Sequence, residues 1–132
     1  MWTKTAVAAA LVIAALSGAV PGPAQAWPAQ NGLSVDGSGE AFTVDYRPGS
    51  RTSDYWCAAG DFVIGHLGLR PDTRVFRLTP ERARPGQDLR FSVTQAGGGG
   101  TGLVVIGRDD GSLSAATAQQ LCENRRRIGN RD

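Results

Sequence analysis

Ser53-Asp54-Tyr55-Trp56-Cys57-Ala58-Ala59-Gly60-Asp61-Phe62-Val63-Ile64-Gly65-His66-Leu67 is the stretch around which the chain is organised. It reads as a helix that lies mostly inside. Ser53 or Asp54 supplies an N-cap oxygen for the free N–H groups of the first turn, and Gly68 suits the left-handed residue that ends a helix. At about 100° per residue, Phe62, Tyr55, Ala59, Val63, Trp56, Leu67, Gly60, Ile64 and Cys57 form an apolar arc of roughly 220°. Asp54, Ala58, Asp61 and Gly65 remain for water. So wide an arc needs cover on two sides, a sheet on one flank and another segment on the flank of Cys57.

The chain has 132 residues. Its first 26 read as a secretory signal: Lys4 gives the positive start, Ala6 to Val20 the apolar centre, Pro21 and Pro23 the break, and Ala24-Gln25-Ala26 the small residues of a cleavage site. The expected mature chain begins at Trp27. No later apolar run approaches the roughly 20 residues of a transmembrane helix. Export places Cys57 and Cys122 in an oxidising compartment, where they are expected to pair. Lys4 is the only lysine, so from Trp27 onward thirteen Arg face twelve Asp and Glu, a net charge of +1. That near balance gives no reason to expect a nucleic acid as partner.

From Trp27 to Glu40 the chain is rich in Gly, Ser, Pro, Asn and Gln and has no period, so a flexible leader is expected. Phe42, Val44 and Tyr46 then alternate with Thr43, Asp45 and Arg47 in a strand. Pro48-Gly49-Ser50 leads into the helix. Beyond the turn at Arg70-Pro71-Asp72, a second strand spans Thr73 to Leu78, with Phe76 and Leu78 on one face. Thr79 to Gln87 is a loop. Leu89, Phe91 and Val93 alternate with Arg90, Ser92 and Thr94 in a third strand. The run Gly97 to Gly100 reads as a flexible connection, because ordering Gly costs the most backbone entropy. Leu103-Val104-Val105-Ile106 follows as a central strand buried on both faces. After a turn at Asp109-Asp110-Gly111, Ser114 caps a final helix running to about Arg126, with Arg125, Arg126 and Arg127 at its negative end.

The expected fold is therefore α+β: a small single domain over residues 41–127, with a mostly antiparallel four-stranded sheet, two helices joined by a disulfide, and a tail at 128–132.

Few groups offer chemistry. Trp56-Cys57-Ala58-Ala59 begins like a thioredoxin active site, but Gly60 stands where the second Cys is required. His66, the only histidine, reads as a hydrogen-bonded residue at the edge of the apolar arc, with a general base oriented by Asp61 or Asp45 as the alternative. A lone His implies no zinc site, and no other metal or cofactor is expected. Asp54 and Asp61 lie about 10.5 Å apart along a helix, too far for a retaining carboxylate pair. Gly97 to Gly102 spells a dinucleotide-binding pattern but precedes a strand and not a helix.

One feature stands out. Arg70, Arg74, Arg77, Arg82, Arg84 and Arg90 fall within 21 residues that hold only Asp72, Glu81 and Asp88 in opposition. Arg74, Arg77 and Arg90 are thus candidates for gripping an anion, with Arg74 and Arg90 expected on one sheet face. The functional expectation is a non-catalytic binding or accessory module, periplasmic or secreted, acting on an anionic envelope component or a protein partner through its sheet face or the 79–87 loop. A small hydrolase built on His66, and a docking component of an envelope assembly, are the alternatives.

Overall fold

The structure, a computed structural model, describes residues 26–80 and 86–129, the side chains of the last six of these excepted. The expected signal segment before Ala26, Arg82 and Arg84 of the 79–87 loop, the side chains of Arg125, Arg126 and Arg127, and the end of the tail lie outside the described residues.

The class holds, and the strand count is larger than the sequence indicates. Six strands form one antiparallel sheet: β1 (Trp27–Pro28), β2 (Ser34–Gly37), β3 (Phe42–Val44), β4 (Arg74–Arg77), β5 (Leu89–Ser92) and β6 (Ser112–Ser114), in the order β1-β2-β3-β5-β4-β6. The expected leader contributes β1 and β2. Its lack of period concealed two buried anchors, Leu33 and Val35, which are 2% and 1% exposed. A tight turn joins the strands, with Gly32 at a positive φ of 83° and its N–H donating to Ala29 O. The expected central strand Leu103–Ile106 is not a strand, and the sixth place is taken by Ser112–Ser114. Both changes correct the four-stranded expectation.

Helix α1 (Thr52–Asp61) begins earlier than expected: neither Ser53 nor Asp54 is its N-cap, and the capping position lies two residues before Ser53. Its N-cap is Arg51, whose N–H donates to the Asp54 carboxylate at 2.8 Å. Asp54 therefore closes the first turn from inside the helix. At Phe62 the helix widens into a π-helical turn (Phe62–His66), closed by Leu67 N–H to Phe62 O at 2.9 Å. Gly68 follows with φ +65°, the left-handed terminator the sequence indicates.

Every residue from Asp54 to Gly60 is buried, including Asp54 and Ala58, which the apolar arc leaves to water. Part of the covering is the leader: Asn31 Nδ2 donates to Asp54 O at 2.8 Å, and Gln30 N–H to Asp61 Oδ2 at 2.9 Å. Helix α2 (Ala115–Gly129), capped by Ser114 Oγ accepting from Thr117 N–H at 3.2 Å, packs closely on α1. The crossing is set by Gly60. A Cβ there would lie 2.6 Å from Gln119 N and 2.7 Å from Ala115 O. Cys57 and Cys122 are bonded across the same pair, with Cα atoms 4.9 Å apart.

The sheet turns Val35, Phe42, Val44, Leu89, Phe91 and Val75 toward the helices. There Phe42 meets Phe62 at 4.8 Å between ring centroids, and Trp56 meets Phe91 edge-on at 4.9 Å. On β4 the inward residues are Val75 and Arg77, so Phe76 and Leu78 are half-buried on the other side.

Candidate functional site

Between β5 and β6 the chain makes a loop whose two ends are tied together. Thr101, fully buried, donates from its N–H to both Asp109 carboxylate oxygens at 3.0 Å and from its hydroxyl to Oδ2 at 2.9 Å. Gly111 N–H adds a bond to Asp109 Oδ1 at 2.9 Å. These donors, Gly111 first, hold the Asp109 carboxyl below the usual carboxylate range. Its neighbour Asp110 accepts from Ser112 hydroxyl and N–H at 2.8 and 3.0 Å and faces Arg74 at 3.7 Å; these contacts, the Ser112 hydroxyl foremost, lower its pKa as well.

The segment so clamped is Leu103–Ile106, with Gly102 at φ +76° before it and Gly107 at φ +90° after it. Leu103 packs against the core. Val104 and Ile106 do not: their relative exposures are 104% and 106%, so both side chains stand wholly in solvent. The four residues, with Leu113 of β6 and Thr117 and Leu121 of α2, line an almost entirely apolar cleft of about 420 Å³. Such a surface has nothing to move a proton; it can hold an apolar group.

The residues singled out in the sequence do not gather. Arg74 and Arg90 do project from the same outer face of the sheet. However, the β4–β5 register sets Arg90 opposite Leu78, four residues along β4 from Arg74, roughly 13 Å. Arg74 is also engaged, donating to Ser112 Oγ at 2.7 Å and Ser112 O at 3.2 Å. Arg77 lies on the opposite face, 3% exposed, donating to the carbonyls of Thr79, Pro80 and Thr101 at 3.0, 3.0 and 3.1 Å. Arg70 pairs with Asp72 at 3.2 Å.

His66 is exposed at the end of the π turn, its ring 5.0 Å from Phe62 and 5.8 Å from Trp27. Asp61, the carboxylate expected to orient it, instead accepts from Gln30 and from Gln119 Nε2, the latter at 3.2 Å. Asp45, the other candidate, is raised in pKa by its own burial and by the charges of Asp36 and Asp88. Among the described residues no group of three His, Cys, Asp or Glu side chains has the spacing of a metal site, and no helix is long and apolar enough to cross a membrane.

The apolar loop was present in the sequence as a run of β-branched residues between two glycines. The signal that it stays out of the sheet is Thr101 and Asp109, eight residues apart, a polar pair able to close the run into a loop. No family model, curated protein or solved structure matches the chain.

Proposed function

We propose that this chain is an exported, non-catalytic binding module whose contact surface is the clamped loop Leu103–Ile106 and the cleft beneath it. The observation that carries the reading is the full exposure of Val104 and Ile106 on a loop whose ends are fixed by Asp109 and Thr101. Leaving two branched apolar side chains in water forgoes about 1.5–3 kcal/mol of burial for each. A chain that holds them there by hydrogen bonds has that burial in reserve for a partner. The disulfide and the signal-like first 26 residues support a place outside the reducing cytosol, in the periplasm or beyond.

The test is sedimentation of the purified protein with cell-envelope fragments, wild type against Val104→Ser/Ile106→Ser. Both positions are wholly exposed, so the double variant keeps its melting temperature within a few degrees. Retention of the wild type and loss of the variant is the expected result. Equal sedimentation of the two sinks the reading. So does loss confined to Arg74→Glu/Arg90→Glu, which would move the contact surface to the outer sheet face.

A further inference from the structure

The backbone of the clamped loop selects the class of occupant. Leu103 and Val105 are partly buried while Val104 and Ile106 are wholly exposed, a period of two along a run of branched apolar residues. Among the described residues, nothing hydrogen-bonds to the backbone N–H or C=O groups of Val104, Val105 and Ile106. A purely apolar ligand laid over the side chains would strip water from those groups and return nothing, a cost at each of them. An extended polypeptide returns the bonds from its own backbone. The neighbouring sheet edge does not compete for it: on β6, Ser112 N–H donates to Asp110 at 3.0 Å and Ser112 O accepts from Arg74 at 3.2 Å.

Area then decides which polypeptide. Two wholly exposed residues of this size present on the order of 300 Å² and, seated in a cleft, cover about as much again on its walls, about 600 Å² in all. A specific interface needs about 1,000 Å² or more. One patch here carries both halves of such a contact: the protruding Val104 and Ile106, and the apolar cleft of about 420 Å³ walled by Leu113, Thr117 and Leu121. A two-fold axis makes the contact twice, for about 1,200 Å², and it runs two identical loops antiparallel, a direction in which each can bond the other's backbone. The described charged side chains around the cleft, Arg74 and Arg108 against Asp109, Asp110 and Glu123, nearly balance, so the patch does not repel its own copy.

Resting on the loop reading above, we propose that this surface is covered by a second copy of the chain in a two-fold dimer. Val104 and Ile106 of each protomer enter the cleft of the other, and the two Leu103–Ile106 segments pair backbone to backbone between the two α2 helices. The dimer hides the surface offered to the envelope, so self-association and envelope binding compete.

Sedimentation equilibrium of the purified protein across its micromolar range tests this. Expected is a monomer–dimer equilibrium with a Kd of about 1–100 µM, as suits a small specific interface. Val104→Ser/Ile106→Ser should weaken it at least about a hundredfold, since each dimer loses four buried apolar side chains. A mixture of Val104→Cys and Thr117→Cys variants should give the mixed disulfide as its main crosslink. A monomer at every concentration, a dimer as tight in Val104→Ser/Ile106→Ser as in the wild type, or a dimer yielding no mixed disulfide overturns the proposal. If the protein stays monomeric while envelope sedimentation depends on Val104 and Ile106, the second copy falls, the loop reading stands, and the occupant is another polypeptide. If a loop-dependent dimer forms while envelope sedimentation ignores both residues, the dimer stands and the envelope partner falls. If neither depends on them, both fall.

Discussion

Trp56 and Arg77 donate to one and the same acceptor, the carbonyl of Thr101, from Nε1 at 2.9 Å and from Nη1 at 3.1 Å. The helix layer, the sheet and the clamped loop are joined at that oxygen. Arg77 reaches it past Gly102, which has φ +76° and whose missing Cβ leaves room for the guanidinium. A buried cation depends on the acceptors that surround it, and the carbonyls of Thr79, Pro80 and Thr101 are among those that hold Arg77. Arg77→Met keeps much of the volume and removes the donors, so Thr79 and Pro80 lose the bonds their carbonyls make to it. We expect a loss of about 2–4 kcal/mol in urea unfolding.

Gly60→Ala sets two effects against each other. Alanine is the better helix former by about 1 kcal/mol. At this position its Cβ would sit 2.6 Å from Gln119 N and 2.8 Å from Ala118 Cβ, against a neighbouring helix covalently tied to α1 at Cys57. Overpacking of a site that cannot retreat costs about 1–3 kcal/mol and more where backbone is struck. The expected net result is a destabilised protein, by about 2 kcal/mol in thermal or urea unfolding, despite the improved propensity. A more stable Gly60→Ala variant would show that the helices can slide apart.

The helix at the centre of the fold, its glycine terminator, the capping by Ser114 and the Cys57–Cys122 bridge were all legible, because each rests on local chemistry or on a single pairing. What escaped were decisions made by competition. Leu103–Ile106 has strand composition, yet the edge of β4 is taken by Ser112–Ser114, whose neighbours Asp110 and Arg74 lock them in place. The 27–40 segment is held by Leu33, Val35 and the Asn31 contact with α1, too few residues to create a period. Arg77 was grouped with Arg74 and Arg90 by composition. Strand alternation separates it from both: positions 74 and 77 differ by an odd number, so they face opposite ways. The apolar loop itself was visible only as a misplaced strand.

The pH dependence carries two opposite signs. Asp109 and Asp110 are lowered, so their carboxylates favour the folded state; that stability is present above the unfolded carboxylate pKa near 3.8 and is lost as pH falls through the lower folded values. Asp45 is raised, chiefly by its burial and then by Asp36 and Asp88. Its contribution is therefore favourable below 3.8 and disappears as pH rises through its folded pKa. Asp109→Asn should lower the melting temperature at pH 7 and narrow the drop on acidification, whereas Asp45→Asn should raise it at pH 7. Melting curves between pH 3 and 7 check this; shifts of the same sign in both variants would contradict it.

The Cys57–Cys122 bridge closes 65 residues of sequence, and it does so where α1 and α2 already touch at Gly60 and Ala118. A loop of that length, left open, returns to the unfolded chain an entropy worth about 4 kcal/mol. Small domains have only about 5–15 kcal/mol in total. Cys57→Ala/Cys122→Ala should therefore unfold at much lower urea, with the loss larger than that of Arg77→Met. Cys57 is 1% and Cys122 8% exposed, so reduction of the native protein should be slow and limited by opening of the helix pair. Thiol labelling after a pulse of reductant measures this. Rapid labelling of both cysteines with the far-ultraviolet spectrum unchanged would mean that the helix contact stands without the bond.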